Sequence, residues 1–344
     1  MITLTEVAKL SGVSASTVSN ILNGKTNVSE QTKKRVLAII EETGYEPNYF
    51  ASRMRKLTTK LIGIIVEDLS IYTMPIVERA MATCEDEGYR TMLVNLRMYD
   101  KWNDSWYYDE TKLVNVLKNA MSQMRSVKVD GIIYIGGHCR YLNIFNSFDD
   151  IPIVVAYAIA KDTMVPSIII DDEKGAYEVT KYILSMGHKI IGIVAGAEEN
   201  LHTQKRISGY QKALFEYGQL FNPDIIYYGN WTRQSGYVGA KEVLKLNPTA
   251  LFCMNDYMAA GAYDYLRENN IRIPDDISVV GYDDVELSEY LIPKLTTCKI
   301  QSNEIGHVSA EKMIELINNP ENEKPAGFYK IPCEMVLRSS VKQI

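Results

Sequence analysis

The stretch that decides the architecture at the start of the chain is TLTEVAKLSGVSASTVSNIL, residues 3–22. Thr3 and Glu6 have the spacing of a capping box, in which each side chain satisfies a backbone amide at a helix start. Gly12 can adopt the left-handed conformation that ends a helix, and Ser14 can cap a second one. The stretch therefore predicts two short helices joined by a tight turn, the helix-turn-helix arrangement.

Apolar residues recur three and four positions apart in both predicted helices, which indicates one buried face on each. These residues are Leu4, Val7, Ala8, Val18, Ile21 and Leu22. A third helix is predicted to follow Ser29, to end at Gly44 and to bury Val36, Leu37 and Ile40. The other face of the second helix carries short, mostly polar side chains, which can approach DNA base edges. The alternative is a small three-helix bundle that binds nothing.

The charge distribution favours DNA binding over that alternative. Residues 1–60 carry nine Lys/Arg and five Glu, a net charge of +4, whereas the whole chain carries −6, which leaves −10 for the rest. A basic head can neutralise DNA phosphates, and an acidic body is repelled by them, so that binding stays local to the head.

Length and composition limit the class of protein. The 344 residues suffice for a head and two further lobes of ordinary domain size. No apolar run reaches the roughly 18–20 residues that span a bilayer, and no secretory signal opens the chain. We therefore expect a cytoplasmic protein without a membrane partner. The five scattered cysteines lack a Cys-x-x-Cys motif and are expected to be reduced and mostly buried.

The sequence lacks the motifs of an enzyme: it has no Walker P-loop, no Gly-x-Gly-x-x-Gly after the first strand and no Gly-x-Ser-x-Gly. Four histidines lack metal-ligand spacing, so we predict neither a metal site nor a cofactor. Acidic pairs follow three predicted strands, at 67–68, 171–172 and 283–284. Such carboxylates either cap turns and helices or accept hydrogen bonds from a hydroxyl-rich ligand.

Strand-like and helix-like segments alternate from Leu61 onward, which predicts parallel sheets with helices on both faces. The run LIGIIV at 61–66 is typical of a strand buried on both sides. The strands are too numerous for one compact sheet, so two Rossmann-like lobes with a ligand cleft between them are predicted. An aromatic stretch at 99–108 is either an ordered loop or lid, or is buried against the lobe.

The predicted division of the chain has four parts. They are a helix-turn-helix domain at 1–46, a hinge helix and linker at 47–60, a first lobe at 61–160 plus 296–322, and a second lobe at 161–295 plus 323–344. The segment at 47–60 is too short to be a stable helix by itself, so it either folds on docking or is a flexible basic linker.

The sequence LTEVAKLSGVSASTVSNILNG at 4–24 closely resembles the head of the lactose/galactose repressor (LacI/GalR) family. Further blocks resemble this family in the same order along essentially the whole chain: DGII at 130–133, RISGY at 206–210, NDYMAAG at 255–261, ISVVGYDD at 277–284 and PKLTT at 293–297. The resemblance implies a periplasmic-binding-protein-like body and a ligand-responsive transcriptional regulator, most simply a repressor of sugar-utilisation genes.

The resemblance also implies DNA-contacting residues and a homodimer on a near-palindromic operator. The predicted DNA contacts are Thr3, Ser14, Ala15, Ser16, Thr17, Ser19, Asn20, Asn23, Arg53 and Met54. Met54 stands where relatives usually carry Leu, as the wedge that enters the minor groove. Asn20 replaces the longer basic residue of many relatives, which predicts a different operator. No leucine-rich heptad tail follows, so we expect a dimer and not a tetramer.

For the effector, the family pattern points to Arg206 and Asp283, facing each other across the cleft as a donor fork and an acceptor fork. Asn255 would add a polar contact, and Trp231 would either stack on a sugar or pack in the core. Tyr72 and Tyr157 complete the candidates. The effector is expected to be sugar-like, with a nucleobase as an alternative. Two other classes remain, a solute-binding module with a degenerate head and a sugar- or nucleotide-handling enzyme.

Overall fold

The computed structural model describes residues 2–22, 28–45, 58–103, 107, 109–145, 151–319 and 327–344. The head consists of three helices, α1 (Leu4–Ser11), α2 (Ala15–Leu22) and α3 (Glu30–Thr43). These helices confirm the predicted helix-turn-helix with its third helix.

The predicted caps of the head helices are present. The backbone N–H of Thr3 donates to Oε2 of Glu6 over 2.7 Å, and the backbone N–H of Glu6 donates back to Oγ1 of Thr3. Gly12 and Gly44 end α1 and α3 with positive φ angles of 64° and 61°. The buried core of the head is Val7, Ala8, Val18, Ile21 and Val36.

One predicted core residue of the head was wrong. Leu37 is 44 % exposed, although Val36 beside it is fully buried. Since neighbouring residues of a helix lie about 100° apart, only one of the two can point into so small a core. Ile40 lies between these extremes, partly buried against the same cluster.

The body alternates strands and helices, as predicted. Its strands are β1 (Leu61–Val66), β2 (Arg90–Asn95), β3 (Gly131–Ile135), β4 (Tyr141–Leu142), β5 (Ile153–Ala156), β6 (Ile159–Ala160), β7 (Ser167–Ile170), β8 (Ile191–Ala195), β9 (Ile226–Tyr228), β10 (Ala250–Cys253), β11 (Ser278–Val280), β12 (Thr297–Lys299), β13 (Phe328–Ile331) and β14 (Glu334–Val336). Its helices are α4 (Thr73–Asp86), α5 (Met98–Trp102), α6 (Glu110–Ser126), α7 (Asp172–Ser185), α8 (Leu201–Glu216), α9 (Arg233–Val243), α10 (Asp256–Glu268), α11 (Leu287–Tyr290) and α12 (Ser302–Asn318).

Ten of the strands form two parallel sheets, one in each lobe, and the other four form two separate pairs, β12 with β14 and β4 with β6. The first sheet has the order β13-β7-β5-β3-β1-β2, and the second has the order β11-β10-β8-β9. Every residue of β1 is buried, with Ile62 and Ile64 in the core on one side and Leu61 and Ile65 in the core on the other. This confirms that the 61–66 run is a strand covered on both faces.

Two strands lie in the sheet opposite to the one that the predicted boundaries assigned. β7 pairs with β5, and β13 pairs with β7, so both belong to the first sheet. The sheet boundary therefore falls after Ile170 and not at residue 161. Apolar periodicity predicts a strand, but it carries no information on which sheet the strand joins.

The chain enters the body through a clamp at Asp130. Its Oδ1 accepts hydrogen bonds from the backbone N–H of Thr59 over 2.8 Å and from the Thr59 hydroxyl over 2.9 Å. Its Oδ2 accepts from the backbone N–H of Lys60 over 2.7 Å. One carboxylate thus fixes the residues just before β1 to the loop before β3, on the side from which the head is linked.

We predict that Asp130→Ala lowers the free energy of unfolding of the body by about 3 kcal/mol, because three hydrogen bonds to a charged group are lost. Denaturant titration of the full chain, followed by circular dichroism, measures this loss. The matched control is Asp86→Ala, at an exposed carboxylate on α4. Equal stability of the two variants would show that the clamp contributes nothing.

Candidate functional site

A cavity of about 490 Å³ lies between the lobes, where the carboxyl ends of strands from both sheets meet. The first lobe contributes residues that follow β1, β2, β3 and β5, including Asp68, Arg97, His138 and Tyr157. The second lobe contributes residues from α8 and from the loops after β9, β10 and β11. A cleft of this size at strand ends is the usual place for a small ligand in such folds.

All six effector-binding candidates line this one cavity. They are Tyr72, Tyr157, Arg206, Trp231, Asn255 and Asp283. These residues are spread over more than 200 positions of the sequence, and the structure brings them together.

A buried carboxylate organises the second-lobe wall of the cavity. Oδ1 of Asp172 accepts from Nε of Arg206 over 2.8 Å, and Oδ2 accepts from Nδ1 of His202 over 2.7 Å. Burial alone would raise the pKa of the Asp172 carboxyl, but His202 and Arg206 lower it below its usual value, so it stays ionised. Asp172 therefore fixes the orientation of both side chains.

His202 links the second lobe to the first. Its Nε2 accepts a hydrogen bond from the backbone N–H of Cys139 over 3.1 Å. The proton of the neutral ring is therefore on Nδ1, which donates it to Asp172. This hydrogen bond joins α8 to the loop after β3 across the cleft.

Arg206 and Asp283 were expected to face each other across the cleft, and this expectation was wrong. Nη1 of Arg206 lies 3.6 Å from Oδ1 of Asp283, so the two form an ion pair on the same wall. Arg206 also donates to the carbonyl oxygen of Met254 and stacks on Tyr282, with 3.7 Å from its guanidinium carbon to the ring centre. With the side chain of Arg206 3 % exposed, most of its hydrogen-bonding capacity is used inside the protein.

Asp283 is the acceptor that both lobes share. The Tyr72 hydroxyl, from the first lobe, donates to Oδ2 of Asp283 over 3.0 Å. Burial raises the pKa of the Asp283 carboxyl to about 6, although Arg206 and the Tyr72 hydrogen bond oppose this shift. A ligand hydroxyl that donates to this carboxylate would compete with Tyr72 and so act on the contact between the lobes.

Trp231, which lines the cavity, packs its ring against Gly196. A Cβ atom on Gly196 would lie 2.0 Å from Cζ2 of the indole, so only glycine leaves room for the ring. Asn255 holds the same residue in place, because its Nδ2 donates to the Trp231 carbonyl over 3.0 Å while its Oδ1 caps α10. Both polar atoms of the Asn255 side chain are thus used in hydrogen bonds within the protein. Trp231 is the side chain that offers a flat apolar surface to a ligand.

Four residues of the cavity wall adopt a backbone conformation that side chains rarely tolerate. Arg97, Tyr157, Trp231 and Asp283 have positive φ angles of 54°, 59°, 69° and 104°. Such conformations cost on the order of 1–3 kcal/mol each and persist only where the surroundings impose them. Their concentration around one cavity is typical of a ligand site, where side-chain direction matters more than local strain.

Several cavity residues had not been singled out as effector candidates. They include Asp68, Arg97, His138, Asn200 and His202. His202 lies one helical turn before Arg206, and this spacing is the sequence signal that could have identified it. In the sequence, Asp68 stands out only as one member of an acidic pair. In the structure, its Oδ2 accepts from the backbone N–H of Tyr99 over 2.8 Å.

The aromatic stretch at 99–108 combines the two predicted arrangements, residues at the cleft and residues buried against the lobe. Tyr99 and Tyr107 line the cavity, as part of a loop over the cleft would. Trp102 packs against the core of the first lobe instead. Trp106 and Tyr108 lie outside the described residues.

The proposed recognition surface of the head is accessible. Thr3, Ser14 and Ser16 are exposed, and Ala15, Thr17, Ser19 and Asn20 are partly exposed along α2. The Ser14 hydroxyl lies 2.7 Å from that of Ser16 and 2.8 Å from that of Thr17, which aligns three hydroxyls at the helix start. Asn23, Arg53 and Met54 lie outside the described residues.

Other expected features concern metals, thiols and membranes. Within the described ranges, no group of three or more His, Cys, Asp or Glu could hold a metal ion, and no helix has the length and apolarity to cross a bilayer. All five cysteines are free thiols, and four of them are buried.

A basic helix-turn-helix head joined to a two-lobed body with a ligand-sized cleft defines a class, the ligand-responsive DNA-binding regulators. Comparison with known proteins agrees. Residues 3–48 match the family model described as bacterial regulatory proteins, lacI family, and residues 180–341 match a periplasmic binding protein-like domain.

Similar proteins extend over the whole chain. The HTH-type transcriptional repressor PurR of Vibrio campbellii is 31 % identical over 100 % of both chains, and the regulator RegA of Clostridium saccharobutylicum is 34 % identical over 97 % of this chain and 98 % of its own. The Lac repressor dimer bound to operator and the anti-inducer ONPF is 26 % identical, with a TM-score of 0.83 over 99 % of each chain. The chain belongs to the LacI family of transcriptional regulators.

We predict that Asp283→Asn changes how stability depends on pH. Since the folded carboxyl has a pKa of about 6, above the ordinary 3.8, the folded protein holds this proton between these values and the unfolded chain does not. Rising pH therefore destabilises the wild type across this window, by about 3 kcal/mol in total, while a neutral Asn is unaffected.

The measurement is the melting temperature of both proteins from pH 4 to pH 7. The variant should gain on the wild type as the pH rises, whereas Asp86→Asn, at an exposed site, should follow the wild type throughout. A constant difference between Asp283→Asn and the wild type would contradict the buried ionisation.

Proposed function

We propose that this regulator is a non-enzymatic repressor of sugar-utilisation genes, acting in the cytoplasm as a homodimer on a near-palindromic operator. Its effector is a sugar or sugar derivative bound in the cavity between the lobes. The observation that carries the proposal is this cavity, which is lined by an ionisable acceptor, Asp283, by the aromatic ring of Trp231 and by tyrosines. Carboxylates that accept from hydroxyls and aromatic faces that cover apolar ring surfaces suit a sugar.

The DNA contacts of this proposal come from the accessible face of α2 and from residues that follow it. Asn20 is suited to pair with adenine through its amide, and Ala15 is suited to contact a thymine methyl. Thr3, Ser14, Ser16, Thr17, Ser19 and Asn23 would add backbone or base contacts, and Arg53 and Met54 would act at the operator centre.

The dimer is supported by apolar residues exposed along one side of both lobes. Ile71 and Met74 of the first lobe are 51 % and 55 % exposed, and Tyr290 of the second lobe is 68 % exposed. Ile71, Tyr257 and Tyr290 line a common groove of about 640 Å³. Exposed apolar surface that runs over two lobes suits a self-complementary interface, and the related Lac repressor is a dimer on its operator.

A purine-like nucleobase is the second candidate for the effector. It is favoured by the PurR relatives, which match the whole chain at about 31 % identity. The tyrosines and Trp231 would stack on a base as they would on a sugar, and Asp283 would accept from ring N–H groups. Direct comparison of guanine and hypoxanthine with simple sugars separates the two candidates.

The DNA-binding part of the proposal is tested by selecting fragmented genomic DNA on the purified protein at moderate salt, followed by sequencing. The expected result is enrichment of a near-palindrome upstream of a few genes of sugar metabolism. Enrichment upstream of nucleotide-metabolism genes would favour the purine candidate. No enrichment, with or without candidate effectors, would contradict the proposed operator binding.

On the selected operator, Asn20→Ala is predicted to lose about 1–3 kcal/mol of discrimination at one base position of each half-site. Lys34→Ala, at an exposed cation of α3, serves as the matched comparison and should weaken binding evenly across sequences if it weakens it at all. Binding to an operator library, read by sequencing, measures both. Unchanged base preference in Asn20→Ala would remove Asn20 from the recognition surface.

A further inference from the structure

A second cavity of about 360 Å³ adjoins the one that holds the proposed effector. Tyr107, His138 and Asn200 line both cavities, so the two share a wall rather than lying apart. The rings of Tyr107 and His138 meet edge to face at this junction, with 3.9 Å between their centres. The smaller cavity thus adjoins the larger one at Tyr107, His138 and Asn200, and Asp283 does not line it.

We propose that the two cavities form one trough, and that the effector is a neutral disaccharide or glycoside whose second unit occupies the smaller cavity. This inference rests on the proposed function, in which the first sugar unit binds beside Asp283 and Trp231. It adds a second subsite and the size and charge of the ligand.

The smaller cavity is lined by polar side chains that are available for a ligand. Tyr141, Glu199 and Gln204 line it, and their side chains make no hydrogen bond within the described part of the chain. Glu110 accepts from the backbone N–H of Asn143 through Oε1 over 3.1 Å, which leaves Oε2 to a ligand. Carboxylate, amide and phenol groups in this combination suit donors and acceptors that alternate around a sugar ring.

The charge of the smaller cavity disfavours an anionic group. Among the described residues that line it, Arg140 is the one cation, and it already forms two hydrogen bonds to Glu67, of 2.9 and 2.6 Å. Glu110 and Glu199, which also line this cavity, are acidic. A phosphate or carboxylate would meet these like charges without a free cation to offset them, so the second unit is neutral.

The wall between the subsites is held at a fixed spacing. Cys139 and Asn200 both line the smaller cavity, and they belong to different lobes. The hydrogen bond from the backbone N–H of Cys139 to His202 fixes these two walls relative to each other. Asn200 is fixed as well, because its Oδ1 caps α8 by accepting from the backbone N–H of His202 over 2.9 Å.

The test measures the affinity of the full-length protein for a panel by isothermal titration calorimetry. The panel contains cellobiose, maltose, lactose and melibiose, their constituent glucose and galactose, and glucose 6-phosphate. The expected result is one disaccharide that binds at least about tenfold more tightly than either of its constituent sugars, and more tightly than the phosphate.

Matched variants then place the second unit. Glu199→Gln and Gln204→Ala should each weaken the preferred disaccharide by about fivefold and leave the monosaccharide unchanged, because one or two hydrogen bonds are lost in the second subsite only. Glu198→Gln and Lys205→Ala are their controls, at neighbouring exposed residues that do not line the smaller cavity. All four side chains are exposed, so we expect each variant to fold like the wild type.

Two results would contradict the proposal of a second subsite without contradicting the proposal of a sugar effector. They are a monosaccharide or its phosphate that binds as tightly as any disaccharide, and a disaccharide whose affinity is the same in all four variants. A panel in which no sugar of either size binds overturns both the second subsite and the sugar effector of the proposed function.

Discussion

The buried carboxylate of Asp172 is the constraint on which the rest of the site depends. It follows shortly after β7 of the first-lobe sheet, at the point where the chain passes into the second lobe. There it holds Arg206, which pairs with Asp283, and His202, which reaches the first lobe at Cys139. Removal of Asp172 would leave Arg206 without its main partner inside the protein, which is why a change at Asp283 probes the site more cleanly than one at Arg206 or Asp172.

The same geometry explains how a ligand would act as a switch. Tyr72 from the first lobe and Arg206 from the second both contact Asp283, so the cleft already contains a polar contact between the lobes. A ligand that replaces the Tyr72 hydroxyl at this carboxylate changes the relative free energy of closed and open lobes. The clamp of Asp130 on Thr59 and Lys60 then connects the first lobe to the chain that leads to the head.

The sequence alone predicted the architecture well, because it depends on patterns that are local. The capping box at Thr3, the buried run at 61–66 and the strand-helix alternation all have local physical causes. The six effector candidates rested on family resemblance, and their convergence on one cavity follows from the rule that parallel strands end at the same edge. Features that depend on contacts between distant residues could not be predicted. They are the sheet that β7 joins, the pairing of Arg206 with Asp172, and the positive φ of Trp231, which backbone propensities disfavour.

Ligand binding in the cleft controls DNA binding by the head, and the direct test is operator affinity measured with and without the tightest-binding effector. Fluorescence anisotropy with a labelled operator would compare the wild type with Asp283→Asn. We expect the effector to change the operator affinity of the wild type by at least about fivefold, and Asp283→Asn to bind the operator normally but to lose this response. An effector that occupies the cleft of the wild type and leaves its operator affinity unchanged would contradict this coupling.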